Sequence, residues 1–411
     1  MKIIHTADIH LDSPLRSLAF KDPRLSDLVQ NATRQALKQI VDVAIELEVI
    51  ALLIAGDLYD GAERSAKTAA FLLSQLGRLQ EANIHVFYIK GNHDAENPIT
   101  GELTLPSNVH VFDGRGDKVQ IPDTDIWIHG VSFSGKHAPD SLLPRFNPPV
   151  PGAINIGMLH TSLAGAAGHD PYAPCTVADL SNHGFDYWAL GHVHKRQVHS
   201  SQPWIVMPGM PQGRDIGEAG AKTASLLTIS DGAISVSEIA TSQVMFQDCA
   251  LQVDDLRSTD ELRIKMRNAL SETASTITSD QAILRMTITG QTELRWELLR
   301  DADAWQETAV ALAEDAGNLW IEKLIFDLSP PSAKTDHSGA LDTLEEMMGQ
   351  ITFEDSFAAE ATREVEAMIA DLPPAVRKTL APDEDRMKNL LQDSAEEGTD
   401  TILAMMRGAS V

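Results

Sequence analysis

Five short stretches of this 411-residue chain carry side chains able to bind a metal ion: "TADIHLD" with Asp8 and His10, "IAGDLYDG" with Asp57, "IKGNHDAE" with Asn92, His93 and Asp94, "MLHTS" with His160, and "GHVHK" with His192 and His194. Asp8 and His10 stand two residues apart, as do His192 and His194, and that spacing puts both side chains on the same side of a strand. Each stretch follows a short apolar run, so each falls at the carboxyl end of a predicted strand, where open α/β sheets build their sites. Carboxylate, imidazole and amide oxygen together suit borderline divalent ions such as Mn, Fe or Zn better than Ca or Mg. The set exceeds the need of one tetrahedral ion and fits two ions sharing a bridge. Two ions about 3.5–4 Å apart hold a phosphate, generate a hydroxide and stabilise both ends of an in-line displacement. Gly56, Gly91 and Gly191 are expected to make tight turns that aim these side chains. A lone "GD" or "GNH" is usually a turn, and a lone histidine is usually a core or surface residue. The ordered conjunction of all five carries the reading.

The elements that must position these residues alternate in the first half of the chain. "KIIHTA", "IALLIAG" and "IHVFYIK" read as strands. "LSDLVQNATRQALKQIVDVAIELEV" and "RSAKTAAFLLSQLGRLQEA" read as amphipathic helices. That βαβαβ order implies a mostly parallel sheet with right-handed crossovers. From about residue 108 the strands shorten: "VHVFD", "DIWIHGVSF", "INIGMLHTS", "DYWALGHVH", "PWIVMPG", "ASLLTIS" and "AISVSEIA" predict a second sheet packed on the first, an α/β sandwich over residues 1–240. Residues 241–328 read as a small α+β domain, and "SPPSAKTDHSG" at 329–339 has the composition of a linker. Residues 340–411 read as an acidic helical tail with a break at "PPAVRKTLAPDE".

Composition narrows the class. The chain is 43% hydrophobic, enough for a full core, and has no apolar run long enough to span a membrane. It shows no secretory signal and only two cysteines, which predicts a reducing, cytoplasmic setting. The net charge of −26 argues against a nucleic-acid partner at first sight. The acidity is uneven, however. Residues 1–240 hold 18 Lys and Arg against 26 Asp and Glu, whereas residues 241–411 hold 15 against 33. Binding depends on the local patch, so the charge weakens a DNA reading without excluding it.

The ordered set resembles the calcineurin-like metallophosphoesterases over roughly residues 1–240. The variant "TADIHLD … GDLYD … GNHD … LHTS … GHVHK", with "DYWALGHVHKRQV" and "PWIVMPGMPQGRDIGEAGAK", most resembles the SbcD-type DNA repair nuclease subunits. The serine/threonine phosphatase branch usually has "GDxxDRG" and "GNHE", where this chain has "GDLYDGA" and "GNHD". The resemblance implies that Asp8, His10 and His194 hold one divalent metal, that Asn92, His160 and His192 hold the other, and that Asp57 bridges them, with Mn(II) the expected ion. It implies that His93 lies beside the scissile phosphate and that Asp94 orients His93. It implies a DNA substrate, a small domain at 241–328 that clamps DNA, and helices at 340–411 that dock an SbcC-type coiled-coil ATPase. Six methionines in those helices suit adaptable apolar contacts, and packing in a homodimer is the alternative. The glycine-rich loop around Arg214 is a candidate for contact with the phosphate backbone. Two other functions remain open at this stage: a metallophosphoesterase acting on a nucleotide or other small phosphoester, and a non-catalytic scaffold for the ATPase.

Overall fold

The computed structural model describes residues 1–13, 23–60, 65–95, 104–163, 172–254, 256–329, 340–351, 354–370, 372, 377, 380 and 384–408. Two six-stranded sheets and a three-stranded sheet account for its strands.

The first sheet contains β1 (Lys2–Thr6), β2 (Ala51–Ala55), β3 (His85–Ile89), β4 (Val109–Val111), β11 (Thr223–Ser230) and β12 (Ala233–Ala240), in the order β12-β11-β1-β2-β3-β4. The four strands from β1 to β4 are parallel neighbours, with β11 and β12 added antiparallel. Strand β2 is apolar at every position because both its faces are covered. Ala51, Leu53 and Ala55 pack toward the second sheet, while Leu52 and Ile54 pack under helices α1 (Pro23–Glu46) and α2 (Ala66–Glu81). The helices answer with Leu37, Ile40, Val41 and Ala44 on α1 and Leu72, Leu76 and Leu79 on α2, at the three- and four-residue spacing of one helical face. The hydroxyl of Ser65 caps α2 by accepting the Thr68 N–H at 3.2 Å.

The second sheet contains β5 (Asp117–Gln120), β6 (Ile126–Val131), β7 (Ile154–His160), β8 (Tyr187–Gly191), β9 (Gln197–Ser201) and β10 (Trp204–Met207), in the order β5-β6-β7-β8-β10-β9. Ile128, Ile156, Met158, Tyr187, Ala189 and Val206 face the first sheet. Trp188, Leu190, Ile205 and Met207 face outward, under Phe146, Phe185 and Leu180 of the helix Val177–Asn182. This unit is the expected α/β sandwich, but "VHVFD", "ASLLTIS" and "AISVSEIA", expected in the second sheet, lie in the first as β4, β11 and β12. The reason is that β4 extends the parallel run beyond β3, while β11 and β12 return as a hairpin whose first strand pairs antiparallel with β1. The sequence reading missed β5 and β9, which are the two edges of the second sheet. Their short sequences "DKVQ" and "QVHSS" are polar, which suits an edge, and a hydropathy pattern passes over such strands.

The remaining elements are β13 (Val244–Gln252), β14 (Gln281–Gln291) and β15 (Leu319–Ser329), which form the three-stranded sheet, and the helices Thr259–Thr276, Arg295–Arg300, Ala302–Ala316, Ala340–Ile351, Asp355–Ala370 and Glu384–Gly408. The chain divides into two compact units. One is Met1–Asp248 with Thr276–Leu284 and Asn318–Glu322; the other is Cys249–Ser275, Arg285–Gly317 and Lys323–Val411. The expected linker lies outside the described residues except for Ser329, as does most of the expected break at 373–384. The carboxy-terminal segment is not a detached tail. Its last helix lies in the same unit as Arg295–Arg300, buries Leu403 and Ala404, and takes a forked ion pair from Arg295 Nη2 to Asp400 at 2.8 and 2.9 Å. No helix among the described residues is long and apolar enough to cross a membrane.

The inter-sheet core makes a direct prediction. Leu53 is fully buried between the sheets, so Leu53→Ala leaves a cavity and lowers stability by about 2–5 kcal/mol. Urea unfolding followed by tryptophan fluorescence measures it; a change below about 1 kcal/mol contradicts this packing.

Candidate metal centre

The loops that follow β1, β2, β3, β7 and β8 meet at one end of the sandwich. The first two run side by side beyond their strands. Asp8 N–H donates to Gly56 O at 3.0 Å, His10 N–H to Asp57 O at 3.1 Å and Leu11 N–H to Leu58 O at 3.0 Å. This backbone ladder brings Asp8 and His10 beside Asp57. From the other sheet, His192 N–H donates to both oxygens of Asp8 at 3.0 Å. Eight of the nine candidate residues therefore come from loops that the two sheets bring together, and the ninth, His160, is the last residue of β7.

The expectation that Asp8/His10 and His192/His194 share a side because they continue a strand is corrected here. Strand β1 stops at Thr6 and β8 at Gly191. Asp8, His10, Asp57 and His192 all adopt left-handed backbone, with φ of 53°, 45°, 51° and 103°. Convergence comes from these turns and not from strand alternation. The two histidines of "GHVHK" also go to different groups. His194 joins Asp8 and His10, and His192 joins Asp57 and His160, with the ligand atoms of each group within 4.8 Å of one another.

Hydrogen bonds on the outer side of the imidazoles decide which nitrogen faces inward. His160 Nδ1 lies 2.9 Å from the carbonyl of Ala55, which can only accept, so Nδ1 carries the proton. Its Nε2 then points a lone pair at Asn92 Oδ1, 3.1 Å away, and at Asp57 Oδ2, 3.4 Å away. His194 Nδ1 lies 2.7 Å from the Glu218 carboxylate, and His10 Nδ1 lies 3.5 Å from Asp60. Both therefore turn Nε2 inward, and the two Nε2 atoms face one another at 3.2 Å. Asp57 Oδ2 lies between the groups, 3.9 Å from His10 Nε2 and 3.4 Å from His160 Nε2. Acceptor atoms facing acceptor atoms in a buried site repel unless a cation sits among them, and an outer carboxylate or carbonyl on each imidazole is the usual support of a metal-ligating histidine. The donor set thus fits two divalent ions: Asp8, His10 and His194 could hold one, Asn92, His160 and His192 the other, and Asp57 both.

Carboxylate and imidazole attract strongly here, and at His160 a proton and a metal ion compete for the same Nε2. Burial would raise the Asp57 carboxyl, but the charges of His160, His10 and His93 and a bond to His160 hold it far below the usual carboxylate range. Burial would lower His160, yet Asp57 and Asp8 raise it to about 9. Asp8 is pushed upward by its burial, against the pull of His160 and His194.

His93 sits at the open side of this cluster, its side chain 38% exposed, with Nδ1 3.6 Å from Asp60. Its N–H donates to Asp57 Oδ1 at 3.0 Å. Burial lowers its pKa, with Asp57 and Asp60 opposing. Asp94 is fully buried and accepts the N–H groups of Gly91 and Tyr59, each at 3.0 Å. Burial and the Asp57 charge raise its carboxyl to about 6. These contacts make Asp94 a brace between the loops after β2 and β3.

Sequence reading missed Glu218 and Asp60, the acceptors behind His194 and His10. Asp60 lies within a quoted motif, three residues after Asp57. Glu218 has no local signal beyond the glycine-rich loop singled out for Arg214. Arg214 itself is already engaged, since its Nη2 donates to Glu218 Oε1 at 2.8 Å and its backbone N–H to Oε2 at 2.8 Å. The three glycines also need revision. Only Gly56 has left-handed backbone, with φ +96°. At Gly91 a Cβ would lie 2.2 Å from Asp57 Oδ1, and at Gly191 it would lie 2.0 Å from Ala55 O. Those two positions are glycine because ligands and backbone pass too close for a side chain.

Comparison with known proteins places the geometry in context. Residues 1–196 match the calcineurin-like phosphoesterase pattern, and residues 246–329 match that of the middle domain of metallophosphoesterase YhaO. The chain is 34% identical over 268 residues to the uncharacterized metallophosphoesterase YhaO of Bacillus subtilis, covering 63% of this chain and 64% of that protein. It is 28% identical over 205 residues to the DNA double-strand break repair protein Mre11 of Sulfurisphaera tokodaii, covering 48% and 50%. The chain thus spans between half and somewhat under two thirds of these relatives' lengths. Among solved structures, a dimetal phosphatase from Danio rerio aligns at 12% identity and a TM-score of 0.38, covering 59% of this chain and 98% of that one.

Two substitutions test the centre. Asp57→Ala removes the carboxylate shared by both groups and should lower bound Mn by elemental analysis from two equivalents to less than one. Gly191→Ala should do the same, because its methyl group collides with Ala55 O. Retention of two tightly held equivalents in Asp57→Ala excludes the bridge.

Proposed function

We propose that the chain is a calcineurin-like metallophosphoesterase, a reading supported by the match over residues 1–196, and within that class a two-metal phosphodiesterase acting on DNA, the nuclease subunit of a repair complex with a coiled-coil ATPase. The observation that carries the hydrolytic part is the set of inward Nε2 and amide oxygen atoms arranged about Asp57. The DNA part is supported by the similarity to the Mre11 repair proteins. Two divalent ions, with Mn(II) well suited to these donors, would supply a hydroxide nucleophile and hold the phosphate oxygens. Asp57 keeps its charge for that task, and Asp94 keeps the Asp57 and Asn92 loops in register. His93 stands at the open side with Asp60 behind Nδ1, which leaves Nε2 to protonate the leaving oxygen. A bound phosphate beside His93 raises its pKa and favours the protonated form that this role needs.

A second reading, hydrolysis of a nucleotide or other small phosphoester, draws support from the net charge of −26. Turnover of a DNA oligonucleotide and of bis(p-nitrophenyl) phosphate by the Mn-loaded protein separates the two. On the first reading both are cleaved; on the second only the small diester is.

His93→Ala should retain both ions and lose about 10²–10⁴-fold in turnover, the usual worth of general acid catalysis. Loss of metal from that variant would make His93 a ligand and remove it from the chemistry. For the ATPase, the exposed Met347 and Met368 on the helices Ala340–Ile351 and Asp355–Ala370 offer an adaptable apolar surface. The double variant Met347→Glu, Met368→Glu should lose binding to a purified coiled-coil ATPase in calorimetry while its diester hydrolysis stays intact. Undiminished binding excludes this surface.

A further inference from the structure

The metal centre opens into a cleft of about 710 Å³, a size suited to more than a single phosphate, lined by Asp57, His93, His192 and His194 and then by Lys195 and Lys222. A smaller cleft adjoins it and shares His194, Lys195, Ala219 and Lys222 as walls before reaching Arg196 and Glu238. Lys195 and Lys222 therefore line both clefts.

The basic side chains here fall into two kinds. The arginines are committed. Arg214 is forked on Glu218, and Arg196 pairs with Glu238 at 2.9 Å and donates to Ser225 at 2.7 Å. The lysines are not. Lys222 Nζ donates to the carbonyl of Ala219 at 3.1 Å, and among the described residues no carboxylate lies within ion-pair distance of it or of Lys195. Lys222 is half-buried, its Cε lies over Gly213, and its backbone is pinned by Ser242 and Thr241 at the start of β11. An ammonium taken partly out of water and left with one neutral acceptor costs free energy that an anion in the cleft would offset. Asp248 also lines the larger cleft, so the local field is mixed and the lysines act as point contacts.

We propose that Lys222, with Lys195, is an anion subsite that takes a phosphate of the substrate strand next to the one being cleaved. The inference rests on the phosphodiesterase reading above and adds to it a requirement for a second phosphate. The subsite selects a nucleic-acid strand over an isolated phosphoester.

The test uses the full chain loaded with Mn, in a His93→Ala background that slows turnover, with labelled oligothymidylate binding followed by fluorescence anisotropy. Adding Lys222→Gln should raise Kd about tenfold, as expected for one lost charge-assisted contact. It should also reduce the slope of log affinity against log salt by about 0.7, the value for one single-strand phosphate contact. Lys222→Arg should restore both, and Lys195→Gln should move both in the same direction as Lys222→Gln. In the otherwise wild-type protein, Lys222→Gln should cost about tenfold more kcat/KM on oligothymidylate than on bis(p-nitrophenyl) phosphate. Unchanged affinity and salt slope, or equal losses on the two substrates, overturn the subsite and leave the hydrolytic reading standing. Failure of the wild-type protein to cleave oligothymidylate overturns the DNA reading, whereas the difference in binding still supports the subsite.

Discussion

The hydrogen bond between His160 Nδ1 and the carbonyl of Ala55 crosses from the second sheet to the first. It does two things at once. It ties the end of β7 to the end of β2, and it fixes the tautomer that turns Nε2 toward Asp57 and Asn92. The neighbouring glycines are conditions for this bond. A Cβ on Gly56 would lie 2.3 Å from His160 Nδ1, and one on Gly191 would lie 2.9 Å from it. A second crossing bond, from His5 on β1 to the carbonyl of Leu190 on β8 at 2.9 Å, stitches the sheets close by. Burial drives His5 down to about 3, so it stays neutral and can serve as a strut at any ordinary pH.

Around that crossing the backbone stores strain. Four of the candidate ligands sit in left-handed conformation, each at a cost of about 1–3 kcal/mol for a residue with a side chain. Such costs persist only where surrounding structure over-determines the conformation. The ladder between the β1 and β2 loops, the Asp94 brace and the clasp of His192 N–H on Asp8 supply that constraint. A rigid, apolar sandwich core lies directly beneath, which is why the loops can be held in these shapes.

Net charge is a poor guide to such a site. The centre gathers carboxylates deliberately, and the cations beside it are sorted by partner. Arg214 serves Glu218, which in turn serves His194, so a residue that reads as a free phosphate contact is part of the support of a ligand. Lys222 and Lys195 are local features within an acidic chain, and what a bound phosphate meets is set by them and not by the sum over 411 residues.

The two-layer core and most of its strands were legible in the sequence, because burial on both faces writes continuous apolar runs such as "ALLIA" and because helices in contact with a sheet must repeat at three and four residues. The nine candidate residues were also legible, since carboxylate, imidazole and amide side chains recur in order at strand ends. The edge strands β5 and β9 were not, because their short polar sequences "DKVQ" and "QVHSS" carry no hydropathy signal, whereas the edges β4 and β12 of the first sheet keep apolar residues and could be read. The last helix's place beside Arg295–Arg300 was not either, because the Arg295–Asp400 pair joins residues 105 apart. The same holds for the finer chemistry of the centre. Which imidazole nitrogen faces inward depends on Ala55, Glu218 and Asp60, and the first two of these lie 105 and 24 residues from the histidines they hold. Residue types and local spacing are properties of the chain alone; proton positions, strained turns and close approaches arise only when distant segments meet, and only the tertiary structure decides them.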